Sequence, residues 1–391
     1  MIRRITNLTN RRRGTVAVLA GIMMIALLGM VAFAIDLGYL ATSQAELQRT
    51  ADASALAACY QLIYQGKPGT PVDLSNQVPH VPVVARQYAS LNHVCNSGPG
   101  LANSDMVIGY MANPNVPGGS IDTGANQNLF NAVKVTVRRN GDENGVVPSF
   151  FGKIFGVNGT SAYGTATAAF IANVGGFGVP TTTSGTGNIM ILPFALDLQT
   201  WNSMLASDNS VSTDSWDCCS QQGVVKGGAD GVREVNLFPQ GTGSPGNRGT
   251  VDIGAPNNST SDIVRQILYG ISPSDMAYFP GSKITMDDTG HCSLQGDTGI
   301  SAGFKAALAQ IIGQKRIIPI FDACSGNGNN CVYSICAFVA VEICDVQLTG
   351  SMVSKHLTVQ PCSMTVSGGV ANTNPGQTTG YYICAPIHLV Q

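Results

Sequence analysis

Apolar and polar positions along the chain form one long uniform block followed by short mixed segments. The 21 residues 15–35 carry no charge. As a helix they span about 31 Å, which matches a hydrocarbon core of about 30 Å. Beyond Asp36 the pattern changes. Leu40, Leu47, Ala51, Ala55, Leu56 and Tyr60 recur at helical spacing, with no proline and no glycine after Gly38. The helix is therefore expected to continue outward, apolar all round and then amphipathic, and to stop before "QGKPGTP". Val133, Val135 and Val137 alternate with polar residues as in a half-buried strand; 138–145 reads as a polar turn and 162–172 as a further strand. Between them, Phe150, Phe151, Ile154 and Phe155 read as an aromatic knuckle in the core. Residues 173–188 cluster Gly and Thr around a Pro and read as a linker. Past it, "IMILPFALD" and "SICAFVAVEICDVQLTG" have the apolar runs of buried strands. Two short helices are expected, one with Ser261 as N-cap and Gly270 as terminator, the other with Phe304, Leu308, Ile311 and Ile312 on one face. The predicted fold is α+β: a transmembrane helix continuing into a stalk helix, then a β-rich, disulfide-bearing extracytoplasmic body. The expected boundaries are 1–14 for a cytoplasmic basic leader, 15–35 for the membrane helix, 36–172 for the stalk and a first α+β unit, 173–188 for the linker and 189–391 for a second α+β domain.

Charge orients this arrangement. Residues 1–35 contain five arginines and no acid, which leaves 16 basic against 23 acidic residues in the rest of the chain. Arg11, Arg12 and Arg13 stand immediately before Gly14, and Asp36 follows Ile35. The positive-inside rule places the N-terminus in the cytoplasm and everything after Asp36 outside the bacterial inner membrane. Three readings of the block compete. It is an uncleaved anchor, or a secretory signal cut after the "AFA" ending at Ala34, or a prepilin leader cut near Gly14. Its length exceeds the usual signal-peptide core, and Leu19 stands where a prepilin carries an acid. Both points favour the anchor. The mildly acidic remainder excludes a nucleic-acid partner.

The apolar block with its basic flank, "RRRGTVAVLAGIMMIALLGMVAFAIDLGYL", and the adjoining "QAELQRTADASALAAC" resemble the N-terminal region of the TadG-like family of tight-adherence (Flp) pilus-assembly proteins. The matching residues are Asp36, Gly38, Gln44, Leu47, Gln48, Ala51, Asp52, Ala53, Ala55, Leu56 and Ala57, with Ser54 where Ala is commoner. A second likeness lies in "VKVTVRRNGDENGVVPSFFGKIFGVNGTSAYGTATAAF". In relatives a strand, a Pro-containing turn, an aromatic segment and another strand close the first extracytoplasmic unit. The resemblance implies a membrane-anchored structural or assembly component of a pilus or related secretion apparatus, working through contacts with other machinery proteins.

Candidate chemistry is sparse. All eleven cysteines lie after Asp36, on the side expected to be oxidising. Cys59 and Cys95 are candidates to staple the stalk, and Cys292, Cys324, Cys331, Cys336, Cys344, Cys362 and Cys384 to cross-link the second domain. Cys336 and Cys344 share parity on one strand, so they face one side but sit too far apart to pair together. Adjacent Cys218 and Cys219 are expected to pair separately. "GTGSPG" at 241–246 matches a phosphate-loop pattern literally but lacks the flanking strand and helix. Asp287, Asp288 and Asp297 read as one solvated turn beside His291, with a weak calcium site as the alternative. Asp197 opens "DLQTWNSM", which is not a metal-binding adhesion motif. No metal, cofactor or small-molecule substrate is expected, and the chain is not expected to be an enzyme. The competing functions are an anchored or secreted envelope hydrolase and a surface-binding adhesin module.

Overall fold

The structure is a computed structural model that describes residues 13–64, 66–180, 187–218, 223–237, 249–254, 259–298, 301–326, 331–351, 354–374 and 376–390. It divides into two compact units that do not follow chain order. The first comprises Met1–Ala57, Pro82–Met106 and Lys134–Ala166, and the second Ala58–Val81, Val107–Val133 and Thr167–Gln391.

In the first unit the chain opens with α1, Arg13–Tyr60, 48 residues without a break. No proline falls inside it, so nothing interrupts the hydrogen-bond ladder. Its early turns are exposed on every side, with Ile25 at 73% and Phe33 at 69%. Further along, Leu47, Ala51 and Ala55 form a fully buried stripe at four-residue spacing. Helix α2, Val81–Leu91, contributes the buried Ala85 and Ala89 to this unit. Strand β1, Ala132–Arg139, buries Val135 and Val137. The short strands β2, Val147–Pro148, and β3, Gly159–Thr160, pair antiparallel around the loop 149–158. Strand β4, Ala162–Ala169, alternates Ala162, Gly164 and Ala166 inward with Tyr163 and Thr165 outward. It neighbours β1, and the hydroxyls of Thr136 and Thr165 meet at 3.2 Å.

The second unit is β-rich. Its nine-stranded sheet follows the path β8-β10-β12-β13-β7-β6. These strands are β6, Ser212–Thr213; β7, Glu234–Asn236; β8, Gly249–Val251; β10, Cys292–Thr298; β12, Cys331–Gln347; and β13, His356–Pro361. Strand β11, Lys315–Ser325, also pairs with β12. One face packs on the helices α3, Leu198–Leu205, α4, Thr260–Tyr269, and α5, Lys305–Ala309, around Trp201, Ile263, Ile267 and Leu308. The other face buries Val174, Phe177 and Ile284. Those residues belong to a three-stranded sheet of order β9-β5-β14: β5 is Val174–Gly178, β9 Lys283–Thr285 and β14 Gly369–Ala371.

Several expectations change here. The first part of the stretch read as a linker is β5, every residue of which is buried; 181–186 lie outside the described residues. Ser259, not Ser261, caps α4 by accepting the Asp262 N–H, while Gly270 does terminate it with φ +78. Residues 302–309 form a short 3-10 turn and the five-residue α5 instead of one longer helix, although Phe304, Leu308 and Ile311 are buried together. "IMILPFALD" is buried, but Pro193 supplies no ladder donor, and only Leu196–Asp197 forms a strand.

The parity argument for Cys336 and Cys344 also fails, for a definite reason. β12 carries two bulges. Strand β11 pairs Ile320 with Ala337 and then Phe321 with Ile335, which leaves Cys336 unmatched. Strand β13 pairs Val359 with Ile343 and Thr358 with Asp345, which leaves Cys344 unmatched. Each extra residue reverses the alternation. Cys331, Tyr333 and Ile335 therefore face the three-stranded sheet, whereas Ala337, Val339, Val341 and Ile343 face the helices.

Candidate functional site

Asp36, Gln44, Leu47 and Gln48, singled out beyond the apolar block, meet their partners along α1 within the first unit. Asp36 stands one residue past the uncharged segment. Its carboxylate accepts the N–H groups of Phe150 at 2.7 Å, Phe151 at 3.2 Å and Gly152 at 2.7 Å. Desolvation pushes the Asp36 carboxyl up, but these three donors outweigh it and hold the group below its ordinary 3.8. A carboxyl with a lowered folded value stabilises the docked loop above the unfolded value and loses that effect as the solution turns more acidic. The clamp's contribution is therefore fully present above about pH 3.8 and is lost as the pH falls from there through the lowered folded value. Asp36→Ala should release it at neutral pH. Amide exchange at Phe150, Phe151 and Gly152 then rises while β1 stays protected; unchanged exchange at those three amides would refute the clamp.

One turn on, Tyr39 packs edge-to-face on Phe150, with centroids 5.0 Å apart. Gln44 and Gln48 follow on the same face. Their side-chain amides donate to the carbonyls of Tyr163 at 2.6 Å and Thr165 at 2.9 Å, so the helix takes up two successive outward carbonyls of β4. Between these two carbonyls lies Gly164. A Cβ there would stand 2.5 Å from the main-chain carbon of Leu47, so only glycine lets the strand approach the helix this closely. Asp52 accepts a second bond from the Gln48 amide at 2.8 Å and fixes its orientation. Ala51 is buried on the same stripe as Leu47. Gly38 is different: a Cβ there meets nothing within 4 Å, and the structure gives no reason for the missing side chain.

The neighbouring loop is fastened to the same helix. Glu46 accepts the N–H of Cys95 at 2.9 Å, and the Cys95 thiol lies 3.1 Å from the Ser43 hydroxyl. Cys95 and Asn96 have φ values of +52 and +61, a left-handed turn that the Glu46 carboxylate holds. Arg139 donates to the Val94 carbonyl at 2.8 Å, tying the turn to β1. Sequence reasoning missed Ser43, Glu46 and Gly164, because their partners lie far away in sequence.

Of the basic flank, Arg11 and Arg12 fall outside the described residues; Arg13 begins α1, Gly14 is exposed in its first turn, and Ile35 is 46% exposed. The aromatic knuckle is a correction. Phe150 and Phe151 are exposed, and Ile154 and Phe155 are 77% and 82% exposed, so the group is not core.

Residues 14–61 match the family model described as Flp pilus-assembly TadE/G-like, and residues 41–168 match a second, described as Tad-like Flp pilus-assembly. The N-terminal region of this chain is thus similar to TadE/G-like proteins over residues 14–61. The two matches run together from 14 to 168 and so take in α1, the loop 149–158 and nearly all of β4. No curated protein and no solved structure matches the chain.

The structure holds the described cysteines as thiols and does not bear out the disulfides expected of them. No two of the described cysteines are bonded to each other. Cys59 and Cys95 have separate surroundings: Cys59 is buried with its thiol on the Asn131 carbonyl at 3.7 Å, and Cys95 is held by Ser43 and Glu46. Cys336 approaches the Ile320 carbonyl, and Cys384 the Thr365 hydroxyl. Cys292, Cys324, Cys331 and Cys362 all lie against the cluster beneath the three-stranded sheet. One contact was not foreseen: the sulfurs of Cys218 and Cys344 approach to 2.7 Å. Cys219 and the loop 241–246 are outside the described residues. The acidic turn is also rearranged. Asp287 accepts from Thr289 and His291, and His291 pairs with Asp322 at 2.7 Å, but Asp297 sits in β10 opposite Thr250. Among the described residues no three His, Cys, Asp or Glu side chains gather as a metal site. Asp197 is the N-cap of α3, accepting from the Thr200 N–H at 2.9 Å.

Proposed function

We propose that the chain is a single-pass, membrane-anchored assembly component of a Flp/Tad-type pilus or related secretion apparatus, acting through protein–protein contact and not through catalysis. The observation that carries this reading is the unbroken α1. Its exposed apolar turns run directly into the Gln44–Leu47–Gln48 docking of the TadE/G-like region. Apolar side chains exposed on every face over some twenty residues suit lipid, not water. Arg11, Arg12 and Arg13, with Gly14, keep the N-terminus in the cytoplasm, Thr15 to Ile35 span the bacterial inner membrane, and Asp36 marks the outer exit. The body beyond it is extracytoplasmic, its partners are the bilayer and other machinery proteins, and residues 189–391 form a second outer domain.

On this reading the touching thiols of Cys218 and Cys344 lie in an oxidising compartment. Their hydrogen bond and burial push the Cys344 thiol far up, so they oxidise during folding, before the site closes. Exchange with a disulfide-bearing oxidoreductase joins the two sulfurs and leaves the oxidant as a dithiol. Peptide mapping of the membrane-extracted protein without reductant is expected to recover the 218–344 linked pair. Two freely alkylated thiols would count against an extracytoplasmic body.

The functional test is direct. Carbonate-washed membranes should retain the full chain, protease added to spheroplasts should remove the body, and detergent extracts should co-purify Flp-apparatus components. Recovery as a soluble monomer with none of these components overturns the reading.

A further inference from the structure

The exposed knuckle has a definite position. Asp36 is the first residue past the uncharged segment, and its carboxylate holds the backbone of 150–152 directly against that point of the helix. Tyr39, about 4.5 Å farther along the axis, packs on Phe150 from the outer side. The loop therefore lies level with the end of the apolar span and not farther out. From there Gly152–Phe155 forms one 3-10 turn, closed by Gly156 in the left-handed region at φ +80. This turn presents Ile154 and Phe155, 77% and 82% exposed, and Val157 follows at 50%. Lys153 lies exposed among them. Between Glu143 and Asp197 the sequence has no acid at all, and Lys153 is the one basic residue in that stretch.

Together these features describe a short apolar wedge with one cation beside it, Lys153, clamped at the level where, on the anchor reading, the helix leaves a bilayer. Aromatic side chains gather at that depth in membrane proteins, and small amphipathic elements bind there through buried apolar area plus attraction to anionic headgroups. We propose that the loop 150–157 inserts Ile154 and Phe155 into the headgroup–acyl boundary of the bilayer that holds α1, with Lys153 at the phosphate level. The inference rests on the reading of α1 as a membrane anchor. A lipid surface is favoured over a protein partner because the wedge is continuous with the apolar span through the Asp36 clamp.

The test uses the full chain reconstituted in phosphatidylethanolamine–phosphatidylglycerol vesicles, with p-benzoylphenylalanine in place of Phe155, of Ile25 in the span, or of the exposed Tyr269. After irradiation, lipid adducts are expected at positions 155 and 25 and not at 269. Asp36→Ala should lose the adduct at 155 while keeping that at 25. Adducts at 25 alone, or cross-links from 155 to a second copy or another protein, overturn the wedge and leave the anchor standing. Loss of adducts at both 25 and 155 overturns the anchor reading, and the wedge with it.

Discussion

Gly164→Val is expected to lift α1 off β4 and unfold the first unit. The added side chain would place atoms within 2.5 Å of the Leu47 main chain, which cannot swing aside as a side-chain tip can. Overpacking a tight site costs about 1–3 kcal/mol, and a clash with backbone belongs at the upper end. Separating the two surfaces also breaks the amide bonds from Gln44 and Gln48, each worth about 0.5–1.5 kcal/mol, with the lower value fitting their exposed setting. A loss of about 3 kcal/mol or more is a large share of the about 5–15 kcal/mol that holds a domain together. Amide exchange across β4 should rise toward the unprotected rate. Gly29→Val is the matched control, since a Cβ there meets nothing within 4 Å, and it should leave β4 unchanged. Equal protection of β4 in both variants would refute the close approach.

Phe338→Ala should damage the other unit and spare this one. Phe338 is fully buried, and its ring meets that of Phe177 edge-to-face at 5.0 Å. Truncating a buried phenylalanine costs about 3–5 kcal/mol. Of that, about 0.5–1.5 kcal/mol belongs to the ring pair and can be isolated by a double-mutant cycle with Phe177→Ala. In urea the β-rich unit should unfold at a markedly lower midpoint. Exchange at Phe150 to Gly152 should stay as in the parent, because those amides depend on Asp36. A drop in midpoint equivalent to under 1 kcal/mol would mean that the sheet-to-sheet core repacks freely.

What the sequence revealed divides along a physical line. Patterns within one element were legible: the uncharged block and helical spacing of α1, and the alternation of Val133, Val135 and Val137. So were Gln44, Leu47 and Gln48 as residues of interest, although their roles were not. Features that depend on distant partners were illegible. Gly164 reads as one small residue among several until Leu47 is brought against it. Cys336 and Cys344 keep the same parity on paper, and only pairing with β11 and β13 exposes the extra residue at each. Phe150 to Phe155 read as core because aromatic residues are usually buried, and nothing in that segment reveals that the distant Asp36 holds its backbone and leaves these side chains exposed. Val174 to Gly178 read as linker because glycine weakens a strand signal, yet glycine is what lets neighbouring backbones press on β5; at Gly176 a Cβ would meet the Ile284 carbonyl oxygen at 2.1 Å.

The continuity of α1 has a mechanical meaning. A rod of 48 residues with no hinge transmits twist as well as position. Asp36, the glutamine pair and the Leu47–Gly164 contact grip the rod at successive heights, so β4 cannot turn about it. With α1 as the proposed membrane anchor, the compass direction in which β4 looks would be set by the rotation of the apolar turns of the same helix. A neighbour that recognised one side of those turns would then dictate which flank of β4 is offered beyond them, so that choosing a partner along the span and aiming the adjoining strand would become a single event.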